Sequence, residues 1–166
     1  MLDAVADKMT TEFETYLRSW IEGFLSKPEV LLNGLSPCPY ARTARIKFIE
    51  TDNYIVDITQ CLENWSTEYD VVGFVCGDVD PANFVLDVRC LNDYWLSRGF
   101  VCLEDHKDIP EIFHHLNFSN GRYNLILVQQ KEKLNSASKQ LTDAGYYKNW
   151  PEDLYNDVVA WRSDRA

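Results

Sequence analysis

Residues 70–76 read DVVGFVC, an apolar run of strand length that decides how the chain around it is interpreted. Gly77 ends this run, and Asp80-Pro81 follows it, a pair typical of the N-cap and first turn of a helix. Apolar residues then recur at helical spacing on one face: Phe84, Val88, Leu91 and Trp95. Gly99 is placed to end this helix. The stretch therefore predicts a buried strand followed by a helix.

Two further strands follow that helix, at 100–103 and 123–129, and a helix ended by Gly145 comes after them. The connection between the strands ends in a Ser-Asn-Gly sequence at 119–121, which is a strong turn signal. This order of elements is typical of an α+β fold. We expect a two-layer sandwich whose mostly antiparallel sheet has about four to five strands in a ferredoxin-like arrangement, with an added N-terminal helix and C-terminal helices.

Outside this core, the chain is predicted to be helical at both ends. Thr11 and Glu14 form a capping box in front of apolar residues at helical spacing, and Pro28 stops that pattern. Pro151 begins a last helix. The sequence thus predicts a single domain, 1–166, with four parts: an N-terminal helix at 10–27, a loop at 28–39, the α+β core at 40–145 and a C-terminal helix at 150–163.

One segment of the core has an ambiguous pattern. Residues 45–50 and 53–58 alternate apolar and polar side chains on either side of Thr51-Asp52, which favours a β-hairpin. A single helix over 40–50 is the alternative. We expect the hairpin.

Composition and charge limit the possible partners. The 166 residues are 46% hydrophobic and 25% charged, which is enough for one sizeable core. Asp and Glu outnumber Lys and Arg by 26 to 16, and the net charge of -10 repels nucleic acid phosphates. The longest apolar runs are of strand length, well below the roughly 20 residues that cross a bilayer. We therefore expect a small molecule or a protein as partner, no nucleic acid and no membrane, and the oligomeric state stays open.

The cysteines and the first residues indicate the compartment. Five cysteines occur without a CxxC pair, which is typical of free thiols in a reducing environment. The first residues carry neither a basic region nor a long apolar run, so we expect no secretory signal. The sequence therefore predicts a cytoplasmic, acidic protein.

The segment SPCPYA at 36–41 contains the candidate nucleophile, Cys38. Pro39 is typical of a first helical position, and the unpaired N–H groups at a helix start stabilise a thiolate. Arg42 and Arg45 follow within two turns, and their positive charge would lower the pKa of the thiol further. A thiolate there would attack an electrophile or bind a soft metal. The alternative is that Cys38 is a small buried apolar residue.

The sequence from Cys38 to Ala41 resembles the glutaredoxin active-site motif with its second cysteine replaced by alanine, which implies a monothiol site. A longer part of the chain resembles an uncharacterised bacterial protein family of unknown function, which has a Trp-bearing helix and then a Cys-Pro-Phe/Tyr-Ala motif. The matching parts are Trp20, 33–41, 78–96, 100–106 and 122–128. This second resemblance implies the same fold and a site at Cys38, and it implies no substrate.

These residues define the first functional hypothesis, a thiol-dependent enzyme. Cys38 would be the nucleophile and His106 its base, since a catalytic thiol needs a partner within hydrogen-bond reach. The residues expected to bind a small anionic or electrophilic substrate are Tyr40, Arg42, Arg45 and Arg122. We expect no cofactor.

Two alternatives stay open. The aromatic share of 13% and the absence of a complete catalytic signature favour a non-enzymatic, acidic protein-interaction or regulatory module. Alternatively, Cys38 with His and acidic residues would form a metal site. Of the three hypotheses, the sequence favours the thiol-dependent enzyme over these two alternatives, and whether the protein is an enzyme stays open.

Overall fold

A computed structural model describes residues 10–113 and 115–162. Its helices are α1 (Glu12–Trp20), α2 (Tyr54–Glu63), α3 (Pro81–Trp95), α4 (Lys131–Asp143) and α5 (Glu152–Val158). Its strands are β1 (Ile46–Thr51), β2 (Val71–Cys76), β3 (Phe100–Asp105), β4 (Ile112–Phe113), β5 (Leu116–Asn117) and β6 (Asn124–Gln130). The predicted domain limits at 1 and 166, the first residues examined for a signal and the last residue of the predicted helix at 150–163 lie outside the described residues.

The main sheet has four strands in the order β1-β2-β6-β3. β1 and β2 are parallel, whereas β6 is antiparallel to both of its neighbours, β2 and β3. The α+β class and the mostly antiparallel four-strand sheet are therefore confirmed. The connectivity departs from a ferredoxin-like order, because α2 and α3 each connect strands that run in the same direction and β6 then enters the sheet between β2 and β3.

The middle of the core is β2, whose six residues are all buried. Its side chains alternate between the two faces of the sheet. Val72, Phe74 and Cys76 pack under α2 and α3, whereas Val75 packs with Leu17 of α1. α1 therefore covers the second face, so the added N-terminal helix supplies a third layer to the predicted sandwich.

The predicted hairpin after residue 45 is wrong in its second half. Residues 46–51 form β1, but the chain then enters α2, and the side chain of Asn53 caps this helix by accepting a hydrogen bond from the Val56 N–H at 3.3 Å. Ile58 and Leu62 are the buried residues of α2, and they lie four positions apart, as residues on one face of a helix do. The strand-like pattern expected for the residues before them concealed this helical spacing. The alternative, one helix over 40–50, is also wrong, because this segment is divided between a 3-10 turn, Pro39–Arg42, and β1.

Both edge strands of the sheet are contacted by side chains. The Asn92 amide of α3 donates to the Cys102 carbonyl at 2.9 Å and accepts from the Cys102 N–H at 2.8 Å, on the outer edge of β3. At the other edge, the guanidinium of Arg18 donates to the carbonyl of Ile46 at 3.1 Å. These contacts satisfy backbone groups that would otherwise invite a further strand.

A third cluster fixes the loop that carries the Cys-Pro segment. Leu32 of the loop, Phe113 of β4 and Tyr146, which follows α4, are buried together. The Tyr146 hydroxyl donates to the carbonyl of Pro37 at 2.5 Å. The segment that carries Cys38 is thus held in part by Tyr146, which is more than one hundred positions away in the chain. Within the described ranges, the structure contains no helix with the length and apolar character needed to cross a bilayer.

Candidate functional site

Cys38 lies immediately before the four-residue 3-10 turn Pro39–Arg42, and not at the start of an α-helix. Its N–H donates to the carbonyl of Leu25 at 2.9 Å, which ties it to the end of the first helix. The residue is partly exposed, but its thiol is enclosed, and this burial raises the pKa of the thiol more than the N–H groups of Ala41 and Tyr40 lower it. The lowered pKa that we expected from the sequence is therefore wrong.

Arg45 does not face Cys38. Its guanidinium binds both carboxylate oxygens of Asp70, at 3.1 and 3.0 Å, and the ammonium of Lys133 lies 2.8 Å from the same carboxylate. These contacts hold the pKa of the Asp70 carboxyl well below its usual range. The charge of Arg45 is thus used to connect the start of β1 to the start of β2.

The side chains of Tyr40 and Arg42 both lack a hydrogen-bond partner among the described residues, but they differ in exposure to solvent. The Tyr40 hydroxyl is buried and has no hydrogen-bond partner among the described residues, and its pKa is raised, first by burial and then by the nearby Asp70 and Cys38. Arg42 is exposed and forms no hydrogen bond or ion pair with any described residue. Its guanidinium is therefore available to a ligand.

His106 is buried with both ring nitrogens occupied. Nδ1 accepts a hydrogen bond from the Asp108 N–H at 3.1 Å, so the proton is on Nε2, which donates to the carbonyl of Val79 at 2.9 Å. The ring also packs edge-on against Phe84 of α3. The histidine is thus placed on the α3 face, whereas Cys38 packs against the end of α1 on the other face. The structure does not bring this pair together, and their catalytic roles stay predictions.

Arg122 lies at the other end of α1 from Cys38. It pairs with Glu12 and lies over the rings of Tyr16 and Tyr123, at 5.0 and 5.4 Å from their centroids. From Glu12 to Trp20, α1 rises by roughly 12 Å at 1.5 Å per residue, and the Leu25 that contacts Cys38 lies five residues beyond its end. Arg122 therefore belongs to a different part of the surface from the Cys38 segment.

The acidic residues after β2 and β3 form structural contacts. Asp105 is buried and accepts hydrogen bonds from the Ser119 hydroxyl at 2.6 Å, the Asn120 N–H at 2.9 Å and the Asn120 amide at 2.6 Å. Asp78 pairs with Lys107 at 2.6 Å. In the part of the chain that the structure describes, no group of three or more His, Cys, Asp or Glu side chains is arranged to hold a metal ion.

The sequence reasoning missed a groove between α2 and α3, because it did not predict α2. The groove has a volume of about 500 Å³. We call it the α2–α3 groove. Its walls are formed by Ile55, Thr59, Glu63, Asp87, Cys90 and Tyr94. Leu91 and Trp95 form its buried floor. The signal that could have revealed it is the spacing of Leu86, Cys90 and Tyr94, four residues apart on a helix whose opposite side is already apolar.

A second cleft, of about 580 Å³, lies where α1 ends. We call it the arginine cleft, because Arg18 of α1 and Arg42 of the 3-10 turn both line it. Of the predicted substrate-binding residues, Arg42 alone is placed in this cleft; Cys38 does not line it.

Comparison with known proteins finds no matching family model, no matching curated protein and no matching solved structure.

Proposed function

We propose that this chain is a protein-interaction domain whose α2–α3 groove binds a basic amphipathic helix of a partner protein. The observation that carries the proposal is the concentration of exposed apolar side chains around this groove. Half of the exposed large apolar residues in the described ranges lie on α2 or α3: Ile55 and Tyr94 line the groove and are 39% and 54% exposed, and Val56 and Leu86 lie on the same helices outside its walls and are 45% and 57% exposed. Apolar surface gathered in this way is typical of interaction sites.

The side chains that line the groove form two stripes, one on each helix. On α3 the stripe is Cys90 and Tyr94, with the exposed Leu86 one turn before them, and on α2 it is Ile55 and Thr59. The inner sides of both helices are already filled by the core, and within the described chain the Tyr94 ring is covered in part by the Arg98 guanidinium, 3.7 Å from its centroid, so the stripes are left largely open. A third helix that places its own apolar side chains between the stripes would bury both.

The charge around the groove selects a basic partner. Residues 52–95 contain nine of the 26 acidic residues and a single basic residue, Arg89, out of 16. Glu63 and Asp87 stand in the groove walls themselves. Lys and Arg side chains that flank an apolar stripe would therefore be attracted to both ends of the groove, and this attraction would weaken with added salt.

A helix fits this groove better than an extended strand does. The backbone hydrogen-bonding groups of α2 and α3 are used within the helices, so the groove presents side chains and no free ladder of N–H and C=O groups. Strand addition needs such a ladder, whereas helix-in-groove binding needs only apolar pockets and complementary charge.

The thiol-dependent enzyme is less well supported. The burial that raises the pKa of Cys38 and the occupied nitrogens of His106 remove the two features on which that hypothesis depended. A cytoplasmic location, expected from the free cysteines, belongs to the present proposal as well.

The proposal is tested with the full chain and two synthetic peptides of identical composition. In one peptide, Leu recurs at helical spacing and Lys fills the other positions; in the second, the same residues are scrambled. We expect the amphipathic peptide to bind, and Ile55→Glu and Leu86→Glu each to weaken its affinity by roughly tenfold or more. The matched control is Val30→Glu, which adds the same charge at an apolar side chain that is 88% exposed elsewhere on the surface.

Three outcomes would overturn the proposal. The first is no binding of the amphipathic peptide, and the second is equal binding of the scrambled peptide or an equal loss in the Val30→Glu control. The third is that the wild-type chain self-associates in sedimentation experiments and that Leu86→Glu abolishes this self-association, because the groove would then bind a second copy.

A separate measurement locates the binding. The amphipathic peptide, and not the scrambled one, should protect the exposed Cys90 thiol in the groove from a maleimide reagent.

A further inference from the structure

We infer that the arginine cleft is a binding site for a monocarboxylate that carries a small apolar group. The cleft lies on the α1 face of the sheet, and the inference is independent of the function proposed for the α2–α3 groove. Its volume of about 580 Å³ is within the range of small-molecule pockets.

Arg18 and Arg42 both line this cleft, and their guanidinium groups differ in the contacts they make. Arg18 is held in place, because it donates to the carbonyl of Ile46 at 3.1 Å, pairs with Glu14 at 3.0 Å and lies over the ring of Phe48. Arg42 is exposed and has no hydrogen-bond or ion-pair partner among the described residues. The Arg18 charge is already paired with Glu14, so the unpaired Arg42 guanidinium is the group that an anion in this cleft can complete, and its planar fork matches a carboxylate.

The remaining walls determine what else the ligand must carry. Ile21, Ala44 and Ile46 provide apolar surface, which suits an aryl or branched alkyl group. Glu22 also lines the cleft, and its negative charge disfavours a doubly charged phosphate relative to a singly charged carboxylate. The ligand class is therefore an apolar monocarboxylate, either a free small acid or the C-terminal residue of a peptide.

The helical geometry changes beside the cleft, where α1 ends. After Trp20 the chain widens into a π-turn, Ile21–Leu25, and the Ser26 N–H donates to the carbonyl of Ile21 at 2.8 Å, a bond that spans five residues. Such turns are rare and recur at functional sites. Here the π-turn places Ile21, Glu22 and Ser26 along one wall of the cleft.

The test measures binding of 3-phenylpropionate and of its uncharged amide, 3-phenylpropanamide, to the full chain by calorimetry and by amide chemical shifts. A peptide ending in phenylalanine, acetyl-Ala-Ala-Phe, distinguishes a C-terminal carboxylate from a free acid. We expect one of the two acids to bind with shifts at Ala41 and Ala44, and the amide not to bind. Arg42→Gln should weaken binding by roughly tenfold or more, since it removes a bidentate charge.

Arg89→Gln is the matched control, because it removes the same charge from an exposed arginine on α3, away from the cleft. Equal affinity for the amide, an equal loss in the control, shifts outside the cleft, or failure of both acids to bind would each overturn the inference. Arg42→Gln should leave thermal unfolding unchanged, because the side chain has no partner among the described residues to lose. None of these outcomes depends on whether the α2–α3 groove binds a helix.

Discussion

The two faces of the sheet are covered differently, and each exposes a different kind of surface. Among the residues that the structure describes, twelve buried residues form the cluster under α2 and α3, whereas the cluster under α1 contains four. Outside α2 and α3 lies an apolar groove with acidic walls; beside the end of α1 lies a cleft lined by Arg18 and Arg42. The groove with acidic walls and the cleft with two arginines thus lie on opposite faces of the sheet.

The difference shows how the number of covering helices shapes the surface. Two helices side by side bury a large core and leave a groove between their outer sides. A single helix covers only part of its face, so the end of the helix and the loop that follows it enclose a cleft. The predictions below test this contrast, beginning with the largest expected effect.

Neighbouring residues of β6 report on the two cores. Ile126 and Leu125 are both fully buried and belong to the clusters under α2–α3 and under α1, respectively. Replacing either with alanine should lower the free energy of unfolding by about 2–5 kcal/mol, and we expect Ile126→Ala to lie near the upper end because its larger cluster collapses less easily. Urea denaturation measures both variants. A larger loss for Leu125→Ala would contradict the contrast between the two faces.

The α1 face is packed closely at Gly73 of β2. A Cβ atom there would lie 2.7 Å from Cδ1 and 2.8 Å from Cε1 of the buried Phe48 ring. Gly73→Ala should therefore lower the free energy of unfolding by about 1–3 kcal/mol through overpacking. The control is Gly23→Ala, where no atom lies within 4 Å and alanine should be neutral or stabilising. Equal stability of the two variants would show that the α1 face has room to relax.

The Asp70 carboxylate anchors the edge of the sheet that both faces share, and its effect should depend on pH. Because its pKa is lowered in the folded state, its contribution is fully present above the unfolded value of about 3.9 and is lost as pH falls through the folded value. Asp70→Asn should thus destabilise the protein at neutral pH by less than the core variants do, and the difference from wild type should vanish in acid. The unfolding midpoints of wild type and Asp70→Asn across pH measure this difference in stability. A difference that persists in acid would contradict the lowered pKa of Asp70 as its cause.

The cysteines should differ in reaction rate without a change in stability. Burial raises the pKa of Cys38, whereas Cys90 is exposed in the groove. Iodoacetamide followed by peptide mapping should therefore modify Cys90 before Cys38 at neutral pH, and the rate at Cys38 should keep rising into alkaline conditions. Cys102, whose pKa burial raises to about 12, serves as the unreactive reference. Faster modification of Cys38 than of Cys90 would restore the thiol-centred hypothesis.

The elements that could be predicted from the sequence are those with strong local signals. Asp80 caps α3 by accepting from the Asn83 N–H at 3.0 Å, and β2 and β6 were recognised by their apolar runs. α2 was missed because its first residues, Tyr54, Ile55 and Val56, are of types common in strands, and its burial at Ile58 and Leu62 became apparent only against β2. The parallel pairing of β1 with β2 has no local signal at all.

The candidate site was less predictable than the fold. The motif at 36–41 directed attention to the neighbouring Arg42, which lines a cleft, but not to Arg18, which lines the same cleft from a position 24 residues earlier on another element. His106 was interpreted as a base because a catalytic thiol needs a partner within hydrogen-bond reach, and only the surrounding backbone groups show that both ring nitrogens are occupied.

By itself, the sequence determined the α+β class, the covering helix α3, the N-terminal helix and the excess of acidic residues, since periodicity, caps and charge are properties of neighbouring residues. The tertiary structure alone decided the strand order, the raised pKa of Cys38, the α2–α3 groove and the arginine cleft. Each of these depends on which distant residues come together, and therefore on burial and distances that no local pattern encodes.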